Sequence, residues 1–340
     1  GVLWELVLVA VLLTWGRRRL GDDVAAAVTL AWWLNPAVII DGAVLGYLDM
    51  QMAVPAALAL IAAASAVPWL AAALLLLAIF TKAQAIFVAP AVVWLALRRA
   101  PRSWRAWSAA VASAAVVTLG VIGPYVQRGA GANLYQAVGR LATHDMLSAN
   151  AANSWWLVTW VLRVQDMLGE WGLWRSLTQE TRILAITSAM DLGYPNARVV
   201  GACVVIVAFA WGLWRVRAMQ TLAVGAAFAA WSVHAYAVWA AQVHENHLAL
   251  ALPFAALAIV NGARARGIYA GLSAVVLLNT VLFYGAGLDM PTLVSRRLTG
   301  IDATVVLAAV NVALWVWHTR VFARVSGAEA EVSMRQSGRG

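Results

Sequence analysis

The sequence predicts an all-α, polytopic membrane protein with about 11 transmembrane helices. Three observations carry that expectation. Hydrophobic residues make up 63% of the 340 positions and charged residues only 11%, more apolar material than a soluble core of this length can use. Apolar runs recur along the whole chain, separated by short polar breaks. The arginines gather in clusters between those runs, as cytoplasmic loops do under the positive-inside rule. The formal charge of +9 therefore reads as topology, and no nucleic-acid partner is expected.

The crossings follow from the clusters in chain order. "RRRL" (17–20), "RRAPRSWR" (98–105), "RVR" (215–217), "RAR" (264–266) and "HTRVFAR" (318–324) are assigned to the inner side. Residues 2–15 then cross inward, 24–40 outward, 107–125 outward, 199–214 inward, 220–240 outward, 246–262 inward, 268–286 outward and 303–317 inward. Between Met52 and Arg98 an odd number of passes must fit, and three is the count expected, with breaks at Pro68 and at Thr81-Lys82. Three passes in that length are short against a hydrocarbon core of about 30 Å. The Lys82 turn is therefore expected below the outer surface, where irregular backbone is tolerated only inside protein or beside a wet cavity.

Four regions follow: 1–125, an outer segment 126–198, crossings over 199–320, and an inner tail 321–340. In the outer segment Trp160, Val164, Met167, Leu168, Trp171 and Trp174 share one helical face. That stripe predicts a helix lying flat at the interface, or a buried re-entrant one. Cys203 is the one cysteine and stands in an apolar run, which reads as packing.

The outward side collects the polar groups that carry chemistry. "NPAVIIDGAVLGYLDMQM" supplies Asp41, Tyr47, Asp49 and Gln51 after a crossing, as a glycine-containing loop that suits close approach of a ligand or as a capped helix end. Lys82 is the only lysine among the basic residues, with Gln84 beside it. It is either a functional intramembrane charge or a side chain snorkelling from a helix end. "QVHENHLALALP" crowds His244, Glu245, Asn246 and His247 at the start of a crossing. Without further ligands at metal spacing, these groups suit an anion at a helix N-terminus better than a metal, and no metal site is expected. "HDMLSANAANSWW" adds Asn150, Asn153, Trp155 and Trp156 as substrate-binding candidates. A lipid-phosphate sugar at the outer edge of the bilayer would need such groups: cations for the leaving phosphate, here Lys82 and His244, and a carboxylate to take the acceptor proton. The outer carboxyls are Glu5, Asp41, Asp49 and Glu245.

With these residues assembled, the chain resembles the GT-C glycosyltransferases that use polyprenyl-phosphate sugars, most of all the dolichyl-phosphate-glucose glucosyltransferases of N-glycan assembly. Their loop of the type I-D-H-G-H-F-Q-Y-N is matched by "IIDGAVLGYLDMQM", which keeps Asp41-Gly42 and Tyr47 and lacks both histidines. Their K-Q-M-A turn followed by A-P is matched by "TKAQAIFVAP", and their V-H-E-K-S by "VHENHLALALP". The resemblance spans roughly residues 1 to 260. It implies a GT-C-like fold and transfer of a hexose from a polyprenyl-phosphate donor to a lipid-linked or envelope glycan acceptor on the extracytoplasmic side. No cofactor is implied, since the lipid-phosphate sugar is a co-substrate. Lys82 and His244 would bind the donor phosphate, and Asp41 or Asp49 would stand in for the family's base. That base normally lies in an acidic outer loop after the first helix. The chain opens at Gly1 in an apolar run without Met, so such a helix and loop are expected to precede it. A polyprenyl-diphosphate glycan ligase, a transporter and a non-catalytic scaffold are the rival readings. Alanine- and arginine-rich usage points to a bacterial inner membrane. The oligomeric state is not expressed in the sequence.

Overall fold

The computed structural model describes residues 2–141, 146–178, 196–283, 297–298 and 301–337. Helix dominates, and strand pairing among the described residues is limited to Arg297–Leu298 against Ile301–Asp302 and two single bridges. Five helices are long and apolar enough to cross a membrane, or six if one bent pair counts as a single span. Three shorter apolar helices accompany them.

The chain begins with α1 (Val2–Val11), which runs through a π-turn into the Arg17–Leu20 turn. Then α2 (Asp22–Trp33) returns and bends by 40° into Pro36–Val44. The bend is written locally. Pro36 cannot extend the helix behind it, and Asn35 caps the new start by accepting the Ala37 N–H at 2.9 Å.

Next come three antiparallel passes, α3 (Asp49–Ala64), α4 (Pro68–Thr81) and a 3₁₀ stretch Ala83–Val88 leading into α5 (Ala89–Arg99). The breaks stand at Pro68 and Thr81-Lys82, where the sequence puts them. At 16 and 14 residues, α3 and α4 reach only about 24 and 21 Å. From Met52 to Ala63 every residue of α3 is buried, and alanine at six of those positions lets neighbouring helices approach closely. The long α6 (Trp104–Gln127) packs on α4 and shows most of its surface outward. The amphipathic α7 (Gly131–Leu141) follows it.

Beyond α8 (Ser154–Thr178), the chain forms α9 (Ala197–Arg215), α10 (Leu222–Trp239), α11 (Leu252–Ala258) between two 3₁₀ turns, α12 (Ala263–Phe283) and α13 (Ala303–Ser337). The central helix is α10, buried along nearly its whole length. Close approach is built in by glycine: a Cβ on Gly201 of α9 would stand 2.7 Å from the Trp239 carbonyl oxygen. Trp231 stacks on Phe322 with centroids 5.0 Å apart and leans on Trp211 at 5.3 Å, tying α9, α10 and α13 together.

The arginine-bearing turns collect at one end of this bundle. Arg99 donates to the Ala64 carbonyl at 3.4 Å, Trp94 to the Val216 carbonyl at 2.9 Å, and Arg215 to Ser326 at 3.3 Å. Glu329 accepts the Thr221 N–H at 2.9 Å and so caps α10 from α13. The turns carrying Asp41, Lys82 and His244 lie at the other ends of these same helices.

Two sequence readings need correction. Cys203 is exposed, because α9 buries the face of Gly201, Val205 and Gly212 and turns Cys203 away from it. The tryptophan stripe does not form one continuous face, since Gly172 adopts φ 70° and ψ 164° and breaks α8. Before the break Trp160 packs on the core; after it Trp174 is 75% exposed. The side chain of Trp171 lies outside the described residues.

Candidate functional site

Lys82 stands where α4 ends, in extended backbone at φ −157° and ψ 124° that continues neither helix. Its Nζ donates to Asp49 Oδ1 at 2.7 Å. Asp49 begins α3 and is fully buried, and its second oxygen accepts from Asn246 Nδ2 at 2.8 Å. One carboxylate therefore joins three segments that lie far apart in sequence: the end of the Asp41 loop, the Lys82 turn and the His244–His247 turn. The anion beside Lys82 is this carboxylate. With 24% of its side chain exposed, Lys82 keeps two further N–H groups for another acceptor.

Around this pair the same segments touch again. Tyr47 donates to Glu245 Oε1 at 3.3 Å, and its backbone N–H reaches the Asp41 carbonyl at 3.0 Å. Gln84 Nε2 donates to His247 Nε2 at 2.6 Å, which leaves the His247 Nδ1–H for the Tyr236 hydroxyl at 2.8 Å. Both ring nitrogens of His247 are thus engaged, and it cannot share a cation with His244 in this arrangement. Their ring centroids stand 5.2 Å apart. Phe87 stacks on Tyr236 at 3.7 Å, extending the cluster toward the space between α9 and α10.

Asp41 differs from Asp49. It is wholly buried in the π-turn Ile39–Val44, and neither of its carboxylate oxygens has a hydrogen-bond partner among the described residues. Glu5 lies close by. Its Oε1 also lacks a partner among the described residues and would stand 2.7 Å from a Cβ on Gly42. Gly42 is therefore the niche that admits the Glu5 carboxyl from α1. Gln51 is half-buried on the first turn of α3.

Glu245 belongs to the turn between α10 and α11, outside the apolar helices. Burial pushes its carboxyl above the usual carboxylate range; its own backbone N–H, the Tyr47 hydroxyl and Lys82 oppose the shift, and Asp49 adds to it. A carboxyl raised in this way is a stronger base once ionised.

The outer-segment candidates divide into two groups. Asn153 is fully buried; its amide donates to the Ala237 carbonyl at 3.2 Å and its oxygen accepts the Trp156 N–H at 3.0 Å. Trp155 donates to the Trp239 carbonyl at 2.7 Å and Trp156 to Thr304 at 2.8 Å. These three hold the segment to the bundle. Asn150 instead is half-buried, has a left-handed backbone at φ 68°, and is bridged to His244.

Between α9 and α10 a cavity of about 360 Å³ adjoins the cluster through Tyr236 and Phe87. Apolar Val205 and Ile206 line it, while Arg198 and Gln242 stand at its polar end. Sequence reasoning passed over Tyr236, Asn279, Asn311 and the buried pair His234–His318, whose Nδ1 atoms are 3.1 Å apart. The available signal was a polar side chain inside an apolar run, as in "LLNTVL" around Asn279. A scan of protein-family models and a search of curated proteins find no match to this sequence.

Proposed function

We propose that this chain is an integral membrane glycosyltransferase of the GT-C type, moving a hexose from a polyprenyl-phosphate donor to a lipid-linked or envelope glycan acceptor on the extracytoplasmic side. The observation that carries the reading is the meeting of the Asp41 loop, the Lys82 turn and the His244–His247 turn on one buried carboxylate, opposite the arginine-rich turns. Counting the bent pair and the three shorter apolar helices as passes gives nine crossings, and adding α1 and the leg from Ala83 to Arg99 brings the count to about eleven.

In this reading the isoprenoid chain lies against Val205 and Ile206 in the cavity between α9 and α10, with its phosphate toward Arg198 and the cluster. Lys82, fixed by Asp49, points its remaining N–H groups at the phosphate, and His244 shares that anion. The acceptor hydroxyl attacks the anomeric carbon, the bond from that carbon to the phosphate oxygen breaks with its electron pair on the phosphate, and a carboxylate takes the hydroxyl proton. Asp49 has both oxygens engaged, so Asp41 and Glu245 are the better proton acceptors. Donors fixed beside the leaving phosphate in a water-poor site would supply most of the acceleration.

The test is transfer by the full-length gene product in lipid nanodiscs, comparing synthetic polyprenyl-phosphate hexose with polyprenyl-diphosphate glycan. Hexose transfer from the monophosphate supports the proposal. Transfer only from the diphosphate points to a ligase, and no transfer from either removes the enzyme reading.

A further inference from the structure

Ala152 is held in an unusual way. Its N–H donates to Asn279 Oδ1 at 2.8 Å, from α12, while its carbonyl accepts from Asn311 Nδ2 at 2.8 Å, from α13. The other end of the Asn279 amide, Nδ2, donates to the Glu245 carbonyl at 2.6 Å. One side chain therefore bridges the turn carrying His244, Glu245 and Asn246 to the outer segment carrying Asn150. Asn279 is 4% exposed and stands among Leu277, Leu278, Val281 and Leu282. A primary amide in such surroundings is strongly disfavoured unless both of its ends are bonded, and here both are.

The two segments it joins also bond to each other. Ala149 N–H donates to the Val243 carbonyl and Gln242 N–H to the Leu147 carbonyl, each at 2.9 Å. Asn150 and Gln242 both take left-handed backbone, at φ 68° and 65°. Such conformations persist in residues other than glycine where the surroundings over-determine them. The constraint comes from Asn279 and Asn311, and its result is that Asn150 sits against His244.

We infer that Asn279 is a positioning residue, which sets the spacing between the 242–247 turn and the 147–153 segment and thereby holds Glu245 and Asn150 toward one ligand. The consequence for turnover rests on the glycosyl-transfer reading above, whereas the clamp itself does not. Leucine at 279 removes both hydrogen bonds at similar volume. Aspartate keeps an acceptor for the Ala152 N–H and loses the donor to the Glu245 carbonyl.

The experiment is hydrogen–deuterium exchange on full-length protein in nanodiscs, with sugar transfer measured on the same samples. Asn279→Leu is expected to speed exchange about tenfold or more in peptides covering 146–153 and 240–247, with α3 unchanged. Asn279→Asp is expected to release 240–247 and leave 146–153 protected. If the leucine variant unfolds, the aspartate variant decides alone, and wild-type or uniformly raised exchange in it overturns the clamp. In transfer assays KM for polyprenyl-phosphate hexose should rise about tenfold, with kcat changed less. A fall in kcat at constant KM would reduce Asn279 to a purely structural role. Should the wild type transfer no sugar while the exchange pattern holds, the reaction falls and the clamp stands.

Discussion

Lys82 and Asp49 show what a residue-level reading can and cannot anticipate. A single lysine in an apolar run demands an anion, because an unpaired charge at that depth is strongly disfavoured. The anion turns out to be a carboxylate 33 positions away in sequence, at 2.7 Å. Composition made the need for a partner legible; its identity was not, since Asp41 and Glu245 were equally available on the outward side. Removing one member of a buried pair leaves the other charged and unsatisfied. Lys82→Ala should therefore destabilise the protein by about 1–3 kcal/mol, reduced from the fully buried case by the exposure of Lys82. The double variant Lys82→Ala/Asp49→Asn should recover most of that loss in thermal unfolding in detergent. Additive losses would show that the pair does not act as one. Glu245 offers a second residue-scale test. Its carboxyl is raised in the folded protein, so the fold binds that proton more tightly than the unfolded chain does. Its contribution is complete below the unfolded value of about 4.3 and is lost as pH rises through the folded value. Glu245→Gln should flatten the fall in stability with rising pH over that window. An unchanged profile would assign the dependence to another group.

At the scale of elements, punctuation was the readable part. Pro68 and Thr81-Lys82 mark α4 at both ends; the crossing assigned to 24–40 runs straight through Asn35-Pro36, although proline cannot extend the helix behind it and asparagine caps the next one. The break in α8 at Gly172 was not read, since the tryptophan spacing continues across it and periodicity carries no record of a reversed φ. Close helix approach was hidden as well. Gly201 looks like any residue of an apolar run, yet it is the point where α9 meets the end of α10, with a would-be Cβ 2.7 Å from the Trp239 carbonyl oxygen. Backbone cannot yield as a flexible side chain does, so Gly201→Ala must push α9 outward at a cost of about 1–3 kcal/mol. The cavity between α9 and α10 changes shape with it. The expected outcome is a lowered unfolding temperature together with weaker binding of a polyprenyl-phosphate probe. Wild-type values for both would mean that the two helices separate freely.

For the whole molecule the regular placement of arginine was the strongest signal, and it brings distant clusters to one end. The Ala64 turn, Arg99, Arg215 and Ser326 are linked there by hydrogen bonds, while Asp41, Lys82 and His244 lie at the far ends of the same helices. What the charge pattern could not convey is which polar groups at that far end touch one another, because contacts between turns depend on helix lengths and tilts that composition leaves open. The positive-inside rule assigns the arginine end to the cytoplasm. Labelling with a membrane-impermeant thiol reagent tests this most directly across α6, whose two flanks both carry exposed residues. Trp104 at its start is 75% exposed and Tyr135, on α7 beyond its end, is 83% exposed. Asn246 and Ser326 are unsuitable reporters, at 8% and 3%. Exposed Cys203 must first be replaced by alanine so that each introduced thiol is read alone. In intact cells Tyr135→Cys should label and Trp104→Cys should label only after permeabilisation. The reverse pattern would put the Lys82 cluster on the cytoplasmic side and remove the extracytoplasmic reaction. Equal labelling of both positions would mean that α6 does not cross the bilayer, and the alternation of passes built on it would fail.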